Sequence, residues 1–545
     1  MRTPIQESLT ELLSDALADA GYQDQREGLA LEWACSSGFG DISNNIAMRI
    51  ASALKQPPMK IASAVVDALN KRLAASPCRA SVAQIKAEGA GFINVYLSAE
   101  YFREVLKDII EQGSDFGRSS EGMGRKVLVE FVSANPTGPL SVAHARQAAV
   151  GDALANILSF LGFEVRKEYY LNDEGNQINT LGRSVEARLK ELNGEKVEFP
   201  DNYYQGDYIV DMARQIRDRK IEVRDFAEYS SNYILDIIKK ELEDFHVTFD
   251  CWYSQKSLRE SGKQKSALDF LRSAGHLYDE DGAVWFRSTT FGDDKDRVVV
   301  KSDGAFTYLA PDIAYHGDKF ARGFDWLINL WGPDHHGYIP RLKAAVMALG
   351  GSADSLSVVI VQLASIFRSG KVIEMSTRRG QYITLREVLD EVGADAARYF
   401  FCMRRTSSHL NFDLEVAKKQ SPENPVYYVQ YAHARIASIL RQAGVRGKPE
   451  LSGPLVLQEN EEQMLLKKLW QFPYILKVCL GTLDPYMMTV YLQEAAEGFH
   501  RFYDKHRVLG QDEACTRARI CLIYAAKTVL AKGLALLGVT APEQM

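Results

Sequence analysis

Four short segments of the sequence combine residue types that can act on a phosphorylated or charged substrate. The first is Asn135-Pro-Thr-Gly-Pro-Leu-Ser-Val-Ala-His144, a loop between an apolar β-branched run and a helical pattern. Free backbone N–H groups and the positive end of such a helix suit a triphosphate. His144, in the first turn, can donate to the α-phosphate as negative charge develops. A Pro/Gly loop with a surface histidine is the alternative interpretation.

The second segment is Ile373-Glu-Met-Ser-Thr-Arg-Arg-Gly380, which follows the apolar run VVIVQLASIFR. We interpret that run as one strand and the segment as a loop. Arg378 and Arg379 beside Gly380 form a flexible cationic clamp that suits a leaving pyrophosphate. The alternative is a basic turn that is simply solvated.

The third segment, Trp331-Gly-Pro-Asp334-His335-His336-Gly337, directly follows the predicted strand LINL. Neighbouring side chains point in different directions, and no third His or Cys lies at a ligand spacing, so we expect no metal site. The carboxyl end of a strand in an α/β sheet is a common place for a nucleoside. We therefore expect ribose or adenine to bind here.

The fourth segment, Thr307-Tyr308-Leu-Ala-Pro-Asp312, places an aromatic hydroxyl and a carboxylate one turn apart. Glu130 lies at the end of the first predicted strand of the same region. Paired carboxylates select a guanidinium, so these residues can hold a cationic substrate. Alternatively, either acid is the buried partner of a structural arginine.

The elements that must position these segments alternate between strand and helix. A strand at 126–132, a helix at about 143–161 and a strand at 164–171 form a βαβ unit, which predicts a doubly wound parallel sheet. Residues from about 180 to 290 are interpreted as an insertion with a long charged helix around Phe226–Phe245. The alternation then resumes with VVVKSDG, FTYLAPDIAYH and WLINLWG.

Two further domains flank this region. An amphipathic first helix and a strand at Ile93–Leu97 predict an N-terminal α/β domain over residues 1–118, which ends in a turn-rich polar stretch. The predicted catalytic domain covers residues 119–420. From 421 to 545 the strand patterns vanish, which predicts an all-α C-terminal domain.

Composition and charge limit the possible functions. Lys+Arg number 65 and Asp+Glu 71, a net charge of −6, which argues against a uniformly basic nucleic-acid coat but allows a local basic groove. The seven cysteines contain no Cys-x-x-Cys pair, so we expect reduced thiols rather than a zinc knuckle. The first residues lack a secretory signal pattern, and the apolar stretch 521–539 is interrupted by Lys527 and Lys532. We expect a cytoplasmic protein that does not associate with membranes.

Taken together and in this order, the segments resemble arginyl-tRNA synthetases of the bacterial type, which are class I aminoacyl-tRNA synthetases. The similarity runs over the whole chain. It also includes Phe39-Gly-Asp41, GAGFINV, YYLNDEGNQI, FDCWYS, LREVLDEVGADAARYFF, NPVYYVQYAHARI and GVTAPEQM. The resemblance implies a Rossmann-type parallel sheet, an N-terminal domain that binds the tRNA elbow and a helical domain that reads the anticodon.

The resemblance also implies the reaction. The carboxylate of L-arginine attacks the α-phosphate of ATP, and the arginyl group of the adenylate then passes to the 2′-OH of the terminal adenosine of tRNA(Arg). Adenylate formation in this family usually needs bound tRNA, which implies an active site completed by its partner. Mg²⁺ is expected with ATP, without a dedicated protein cage, and the family is commonly monomeric.

By the same resemblance, Asn135 binds the α-amino end of arginine, Tyr308 and Asp312 address the guanidinium, and Glu130 lies nearby. The residues assigned to catalysis are His144, Ser141, Arg378 and Arg379. The residues assigned to ATP are Pro136, Gly138, Ala143, His144, Gly332, Asp334, His335, Met375 and Ser376.

The sequence departs from the family pattern in its first signature, where His-x-Gly-His is replaced by Ser141-Val-Ala-His144. Ser141 can donate a hydrogen bond but carries no charge. Loss of such a donor can cost about 3 kcal/mol of transition-state stabilisation. Ala143 adds a methyl group where glycine normally lets adenine approach closely.

The second signature, Lys-Met-Ser-Lys-Ser in the family, reads Glu374-Met-Ser-Thr-Arg378 here. Glu374 repels phosphate and Thr377 supplies no charge, so Arg378, Arg379 or Lys371 must replace the lost positive charge. Gln255 follows FDCWYS where the family often has Glu. If that Glu helps to hold the guanidinium, Gln255 weakens the charge match.

Two other functions are compatible with these departures. One is a paralogue that activates arginine or a related amino acid for an acceptor other than tRNA, which would catalyse ATP–pyrophosphate exchange without tRNA. The other is a tRNA-binding protein that has lost its ATP chemistry, which would bind tRNA tightly and have no affinity for ATP.

Overall fold

The computed structural model describes residues 4–25, 29, 31–33, 40–368, 370–373, 382–451, 453 and 455–545. Several residues singled out in the sequence lie outside this part of the chain. They are Phe39, Glu374, Met375, Ser376, Thr377, Arg378, Arg379 and Gly380.

The described elements are numbered here in chain order. The strands are β1 Glu32–Trp33, β2 Ile42–Asn44, β3 Val82–Glu88, β4 Phe92–Leu97, β5 Lys126–Glu130, β6 Glu164–Leu171, β7 Cys251–Ser254, β8 Leu277–Glu280, β9 Ala283–Phe286, β10 Arg297–Val300, β11 Trp326–Trp331, β12 Leu356–Ile360, β13 Ala364–Arg368, β14 Lys371–Val372 and β15 Leu410–Asp413. The helices are α1 Pro4–Asp19, α2 Ile46–Leu54, α3 Pro58–Ala74, α4 Ala99–Gln112, α5 Val142–Phe160, α6 Asn176–Leu192, α7 Asp207–Arg219, α8 Phe226–Asp244, α9 Gln255–Glu260, α10 Lys263–Ser273, α11 Leu309–Ala321, α12 Ile339–Ala348, α13 Leu385–Cys402, α14 Leu414–Lys418, α15 Pro425–Gln442, α16 Asn460–Trp470, α17 Phe472–Thr482, α18 Tyr486–Lys505 and α19 Glu513–Leu536.

The N-terminal region combines α1–α4 with an antiparallel sheet of order β1-β2-β4-β3. The predicted first helix and the predicted strand at 93–97 are confirmed by α1 and β4. Leu9, Leu13 and Leu17 of α1 recur every four residues and are buried, because this spacing places them on the one face that packs against α3.

The central sheet is parallel, with strand order β12-β11-β5-β6-β7. The predicted βαβ unit is confirmed as β5, α5 and β6. Val127, Leu128 and Val129 of β5 are fully buried, as expected for a parallel strand covered on both faces. The chain runs from β5 to β6 on one side, while β11 lies on the other. The order therefore reverses between β5 and β11, and the carboxyl ends of these two strands form the crevice where α/β sheets bind ligands.

The prediction that VVIVQLASIFR forms one strand is wrong. The run is split into β12, which ends the parallel sheet, and β13, which pairs with β14 and β15 in a separate sheet. The buried guanidinium of Arg146 explains the break, because its Nη1 donates to the carbonyl oxygens of Gln362 (2.7 Å) and Leu363 (3.4 Å). The carbonyl oxygen of Gln362 is thereby bound to a side chain between the two strands, while that of Leu363 also accepts from the backbone N–H of Leu410 at the start of β15.

The segment from about 180 to 290 was predicted to be an insertion, yet it contributes to the main sheet. Its strand β7 pairs in parallel with β6, so β7 is the edge strand of the parallel sheet. The long charged helix of this segment is α8. Strands β8 and β9 join β10 in a small antiparallel sheet.

The C-terminal region is built from α15–α19, in agreement with the helical pattern after residue 421. Across the described part of the chain, no helix is both long and apolar enough to span a membrane.

A buried arginine joins the end of this helical region to the catalytic region. Arg398 on α13 donates from Nη2 to Asp152 Oδ2 on α5 (2.5 Å) and from Nε to the carbonyl oxygen of Leu537 (2.9 Å). Its Nη1 donates to the carbonyl oxygen of Phe245 (3.0 Å). Gly538 has φ of +69°, and a Cβ atom there would lie 2.1 Å from Arg398 Nη2. The residue after Leu537 therefore has to be glycine for the guanidinium to fit.

We expect Gly538→Ala to lower the free energy of unfolding by about 3 kcal/mol, because the methyl group displaces a buried guanidinium and the left-handed backbone is strained. Gly444→Ala is the matched control, since Gly444 has φ of +72° but nothing within 4 Å of an added Cβ. Its cost should be about 1 kcal/mol, from the backbone alone. Thermal unfolding of both variants measures the difference, and equal shifts of the midpoint would contradict the proposed packing.

Candidate active site

A cavity of about 610 Å³ lies at the carboxyl ends of β5 and β11 and is called here the first cavity. It brings together residues from three of the segments predicted to carry chemistry. The predicted residues that line it are Glu130, Asn135, His144, Tyr308, Asp312, Gly332, Asp334 and His335. The sequence predicts that Pro136 and Ala143 bind ATP. They line neither this cavity nor the second cavity that adjoins it.

A hydrogen bond at the start of its own helix fixes the tautomer of His144, and burial fixes its charge. Ser141 precedes α5, and its backbone N–H donates to His144 Nδ1 at 3.2 Å. Because Nδ1 accepts this bond, the neutral ring carries its proton on Nε2. Burial lowers the pKa of His144 to about 4, so the ring is neutral at pH 7. His144 thus offers an N–H donor beside the positive end of α5, an arrangement that suits a phosphate oxygen.

Ser141 acts on the same imidazole. Its Oγ lies 3.3 Å from His144 Nδ1, and its backbone N–H donates to that same nitrogen. The residue that replaces the first histidine of the family signature therefore orients the second one. This contact gives Ser141 a role that does not require charge.

Asp312 supplies an unpaired carboxylate to the first cavity. It lies in the first turn of α11, where Tyr338 Oη donates to its Oδ2 at 2.5 Å. Burial raises the pKa of Asp312 to about 7, and the nearby charge of Glu130 acts in the same direction. Within the described ranges, Asp312 forms no ion pair. A bound cation would therefore find an uncompensated counter-charge here.

Glu130 already has a cationic partner. Its Oε2 lies 2.6 Å from Nζ of the fully buried Lys319, and Ser133 Oγ donates to its Oε1 at 3.2 Å. The sequence allows Glu130 either to hold a cationic substrate or to be the buried partner of a structural arginine. In the structure Glu130 is a buried partner, but of Lys319 rather than of an arginine. Its direct contribution to holding a cationic substrate is therefore smaller than that of Asp312.

Tyr308 and Asp312, which the sequence predicts to hold a cationic substrate, both line the first cavity. Tyr308 is 88% exposed and lies at the rim of the first cavity. Tyr338, which ends a short 3₁₀ turn after β11, donates to Asp312. No signal within the fourth segment indicates this partner, because Tyr338 comes from a segment 26 residues away that only the folded sheet brings close.

Other residues of the first cavity have a sequence signal that was overlooked. Gln147 lies three residues after His144, on the same face of α5. His316 lies four residues after Asp312 on α11, and its Nε2 is 2.9 Å from Asn329 Nδ2. Helical spacing from His144 and Asp312 indicates both residues.

The end of β11 presents Gly332, Asp334 and His335 to the cavity. A Cβ atom at Gly332 would lie 2.7 Å from Asp334 Oδ1, so the Asp334 side chain lies directly against this glycine. The side chains of Asp334 and His335 are mostly exposed and lie 3.5 Å apart. They are thus available to a molecule that enters from solvent.

Gln255 also faces the first cavity and is held by neighbouring polar groups. Tyr170 Oη donates to Gln255 Oε1 at 3.0 Å, and Gln255 Nε2 donates to Glu174 Oε1 at 3.4 Å. Glu174 in turn accepts from Arg259 at 2.8 Å. The amide therefore completes a structural network and brings no charge of its own to the cavity.

A second cavity, of about 700 Å³, adjoins the first, and Asn135 and His144 line both. Asn135 Nδ2 donates to Gln177 Oε1 at 2.6 Å. Gly138 and Ser141 face this second cavity rather than the first. Four tyrosines complete its wall, namely Tyr203, Tyr204, Tyr208 and Tyr382.

Models of three protein families match the chain in consecutive regions. They are the arginyl tRNA synthetase N terminal domain at residues 7–97, the catalytic domain of class I (R) tRNA synthetases at 105–414 and the DALR anticodon binding domain at 429–545. The arginine–tRNA ligase of Geobacillus kaustophilus is 46% identical over 99% of both chains, and that of Geobacter sp. strain M21 is 48% identical over 93% of both. The chain belongs to the arginine–tRNA ligase family.

Solved structures show the same fold as this member of the arginine–tRNA ligase family. The arginyl-tRNA synthetase of Thermus thermophilus has a TM-score of 0.77 at 22% identity and covers 99% of this chain and 100% of its own. That of Plasmodium falciparum has a TM-score of 0.75 at 17% identity and covers 99% of both chains. The predicted fold class is confirmed, namely a class I Rossmann-type sheet between an N-terminal α/β region and a helical C-terminal region.

Proposed function

We infer that the chain is an arginine–tRNA ligase. In the first step a carboxylate oxygen of L-arginine bonds to the α-phosphorus of ATP, and pyrophosphate leaves. In the second step the 2′-oxygen of the terminal adenosine of tRNA(Arg) bonds to the carbonyl carbon, and AMP leaves. The observation that carries this inference is that the first cavity unites Asn135, His144 and Asp312, an amide, a neutral N–H donor and an unpaired carboxylate.

Arginine would lie with its guanidinium at Asp312 and its α-amino group at Asn135. The unpaired carboxylate can accept two parallel N–H bonds from a guanidinium. Asn135 Nδ2 donates to Gln177 Oε1, which orients the amide, and Asn135 Oδ1 is the atom that can accept from an ammonium. Tyr338 would keep the carboxylate of Asp312 in position, while Glu130 and Lys319 form the neutral floor below it.

The phosphates would lie against the start of α5. His144 would donate from Nε2 to the α-phosphate as its negative charge grows, with Ser141 holding the ring. We propose Gly332, Asp334 and His335 for the nucleoside and, from the sequence alone, Met375, Ser376, Arg378 and Arg379 for the phosphates. ATP would enter as its Mg²⁺ complex, so this cation arrives with the substrate. Positioning of the two substrates and stabilisation of the negative charge that develops on the phosphate then supply most of the rate acceleration.

The helical region would bind the anticodon loop. On α15, Tyr427 and Tyr431 are stacked with ring centroids 6.1 Å apart, and Arg435 Nη2 donates to Tyr503 Oη at 2.7 Å. Aromatic rings beside an arginine suit unpaired bases.

The domain boundaries 1–118, 119–420 and 421–545, a monomeric state and a cytoplasmic location stay predictions.

Because the pKa of Asp312 is raised to about 7, kcat/KM for arginine should fall as the pH drops below 7. Only the charged carboxylate pairs with the guanidinium, and the protonated fraction grows as the pH falls. Well below the pKa the decrease should approach about tenfold per pH unit. Arginylation rates between pH 5.5 and 8.5 measure this, with kcat/KM for ATP as internal reference. An arginine profile that is flat through pH 7 would contradict the assignment.

The function itself is tested by charging bulk tRNA with labelled arginine, with lysine, glutamine and citrulline as controls. We expect arginine alone to be attached. A folded protein that binds tRNA but attaches nothing would contradict the inference. Pyrophosphate exchange without tRNA would then identify a paralogue with another acceptor, and tRNA binding without ATP affinity would identify a non-catalytic binding protein.

A further inference from the structure

The peptide group between Pro139 and Leu140, just before α5, is held at both of its polar ends. Its carbonyl oxygen accepts from Tyr382 Oη at 2.9 Å, and its N–H donates to Glu241 Oε2 on α8 at 3.3 Å. Leu140 is fully buried and Glu241 is 5% exposed, so the carboxyl group rather than solvent satisfies this N–H. Because a carbonyl group and the following N–H lie in one plane, the two bonds fix the orientation of the whole peptide group.

The next peptide group, between Leu140 and Ser141, carries the hydrogen bond that orients His144. Its carbonyl oxygen accepts from the backbone N–H of Leu385 at 2.7 Å, and its N–H is the donor to His144 Nδ1 at 3.2 Å. Only the backbone dihedral angles of Leu140 separate this group from the preceding one. A rotation of the preceding peptide group would therefore turn the Ser141 N–H away from the imidazole.

Glu241 is held against this turn by the packing of α8 on α13. Arg386, in the first turn of α13, forms an ion pair of 2.8 Å with Asp244 of α8. Asp244 lies three residues after Glu241, so this ion pair anchors the end of α8 that carries Glu241. Ser141 also forms an antiparallel bridge with Thr384, the residue that precedes α13. The turn before α5 is thus enclosed between α8 and the start of α13.

Glu241 contributes a hydrogen-bond acceptor rather than a charge. Within the described ranges it forms no ion pair, and the nearby Arg386 is already paired with Asp244 and Asp390. Burial raises the pKa of Glu241 to about 7, although the Leu140 N–H and Arg386 act in the opposite direction. Charged and neutral forms of the carboxyl group therefore both occur near pH 7. Each form presents an oxygen that can accept from the Leu140 N–H.

We propose that Glu241 is a positioning residue for the formation of the adenylate. By holding the peptide group before Leu140, it directs the Ser141 N–H at His144 Nδ1. The imidazole proton is thereby kept on Nε2, from which it can be donated to the α-phosphate. This inference rests on the proposed function and adds to it a residue of α8 that lines neither cavity.

The experiment compares three substitutions of Glu241 in single-turnover adenylate formation with bound tRNA. Glu241→Gln keeps an oxygen acceptor at the same reach and should retain the wild-type rate. Glu241→Leu leaves the Leu140 N–H buried without a partner and should lower the rate about tenfold, a typical effect of losing a buried hydrogen bond. Glu241→Asp keeps the charge but is one methylene group shorter, so it should also lower the rate. It replaces the leucine variant if that variant does not fold.

A double substitution distinguishes positioning of the imidazole from a general loss of structure. If Glu241 acts through His144, Glu241→Leu should cause no further loss of rate in a His144→Ala background. An equal loss in both backgrounds would overturn the proposal, as would no loss in either. A Glu241→Gln variant as slow as Glu241→Leu would overturn it too. Glu243→Leu is the matched control and should keep the wild-type rate, because Glu243 lies on the same helix but is exposed and pairs with Lys240.

A second measurement determines the tautomer of His144 without reference to activity. Nitrogen NMR shifts of an imidazole ring differ between its neutral tautomers, and His144→Ala identifies the signals of this ring. The wild type and Glu241→Gln should carry the proton on Nε2, whereas Glu241→Leu should show a share of molecules with the proton on Nδ1. An unchanged tautomer in Glu241→Leu would overturn the proposal.

Arginylation by the wild type is measured before the variants. Its absence contradicts the proposed function. Arginylation that is present but insensitive to Glu241→Leu contradicts only the positioning role.

Discussion

Replacing His144 by alanine should lower kcat for arginylation by about 10²–10³-fold, the usual cost of losing one hydrogen-bond donor to developing negative charge. The variant should remain folded. It loses the capping bond from the Ser141 backbone N–H, which is worth about 1 kcal/mol. The thermal midpoint of a chain of this size should therefore change by only a few degrees.

Single-turnover adenylate formation with bound tRNA measures this effect directly. His336→Ala is the matched control, because His336 is exposed and lines neither cavity although it follows His335 directly. An unchanged rate in His144→Ala would remove this residue from the mechanism. A similar loss in His336→Ala would indicate that the region as a whole is sensitive to substitution.

Asp312→Asn should raise the KM for arginine about 100-fold, since removal of one partner of a buried charge pair typically costs about 2–5 kcal/mol. The amide keeps the shape of the side chain and the contact with Tyr338 but carries no counter-charge for a guanidinium. The preference for arginine over its neutral analogue citrulline should shrink by a similar factor. Steady-state kinetics with both amino acids tests this.

Asp334→Asn distinguishes a local effect from a general one. Asp334 lines the same cavity at its nucleoside end and is mostly exposed, so its variant should raise the KM for ATP and leave that for arginine unchanged. Equal arginine KM values in Asp312→Asn and the wild type would exclude Asp312 from the amino-acid site. A joint rise for both substrates in Asp312→Asn would instead indicate a distorted cavity.

The central sheet and the place of the site could be predicted because each depends on local patterns. The apolar β-branched run of β5 is a strong signal, and parallel strands bring their carboxyl ends to one edge. This geometry places Asn135 and Gly332 at the same crevice. Their types and positions in the chain were sufficient to find the first cavity.

Pairings that depend on tertiary packing could not be predicted in the same way. Lys319 balances Glu130, and Tyr338 donates to Asp312, because separate elements meet only in the folded sheet. The break between β12 and β13 has a similar origin. Most residues of VVIVQLASIFR are apolar, so the run itself gives no sign of a break. Arg146, which binds the carbonyl groups between the two strands, lies more than 200 residues away in the chain.

The bond between Arg398 and Asp152 has a mechanical consequence. Asp152 lies eight residues after His144 on α5, a rise of about 12 Å along one continuous helix. Arg398 connects Asp152 to the carbonyl oxygen of Leu537, at the end of α19. Two hydrogen bonds of one buried side chain thus connect the end of α19 to the helix that carries His144. A displacement of α19 would therefore pull on α5, the helix whose first turn positions the imidazole.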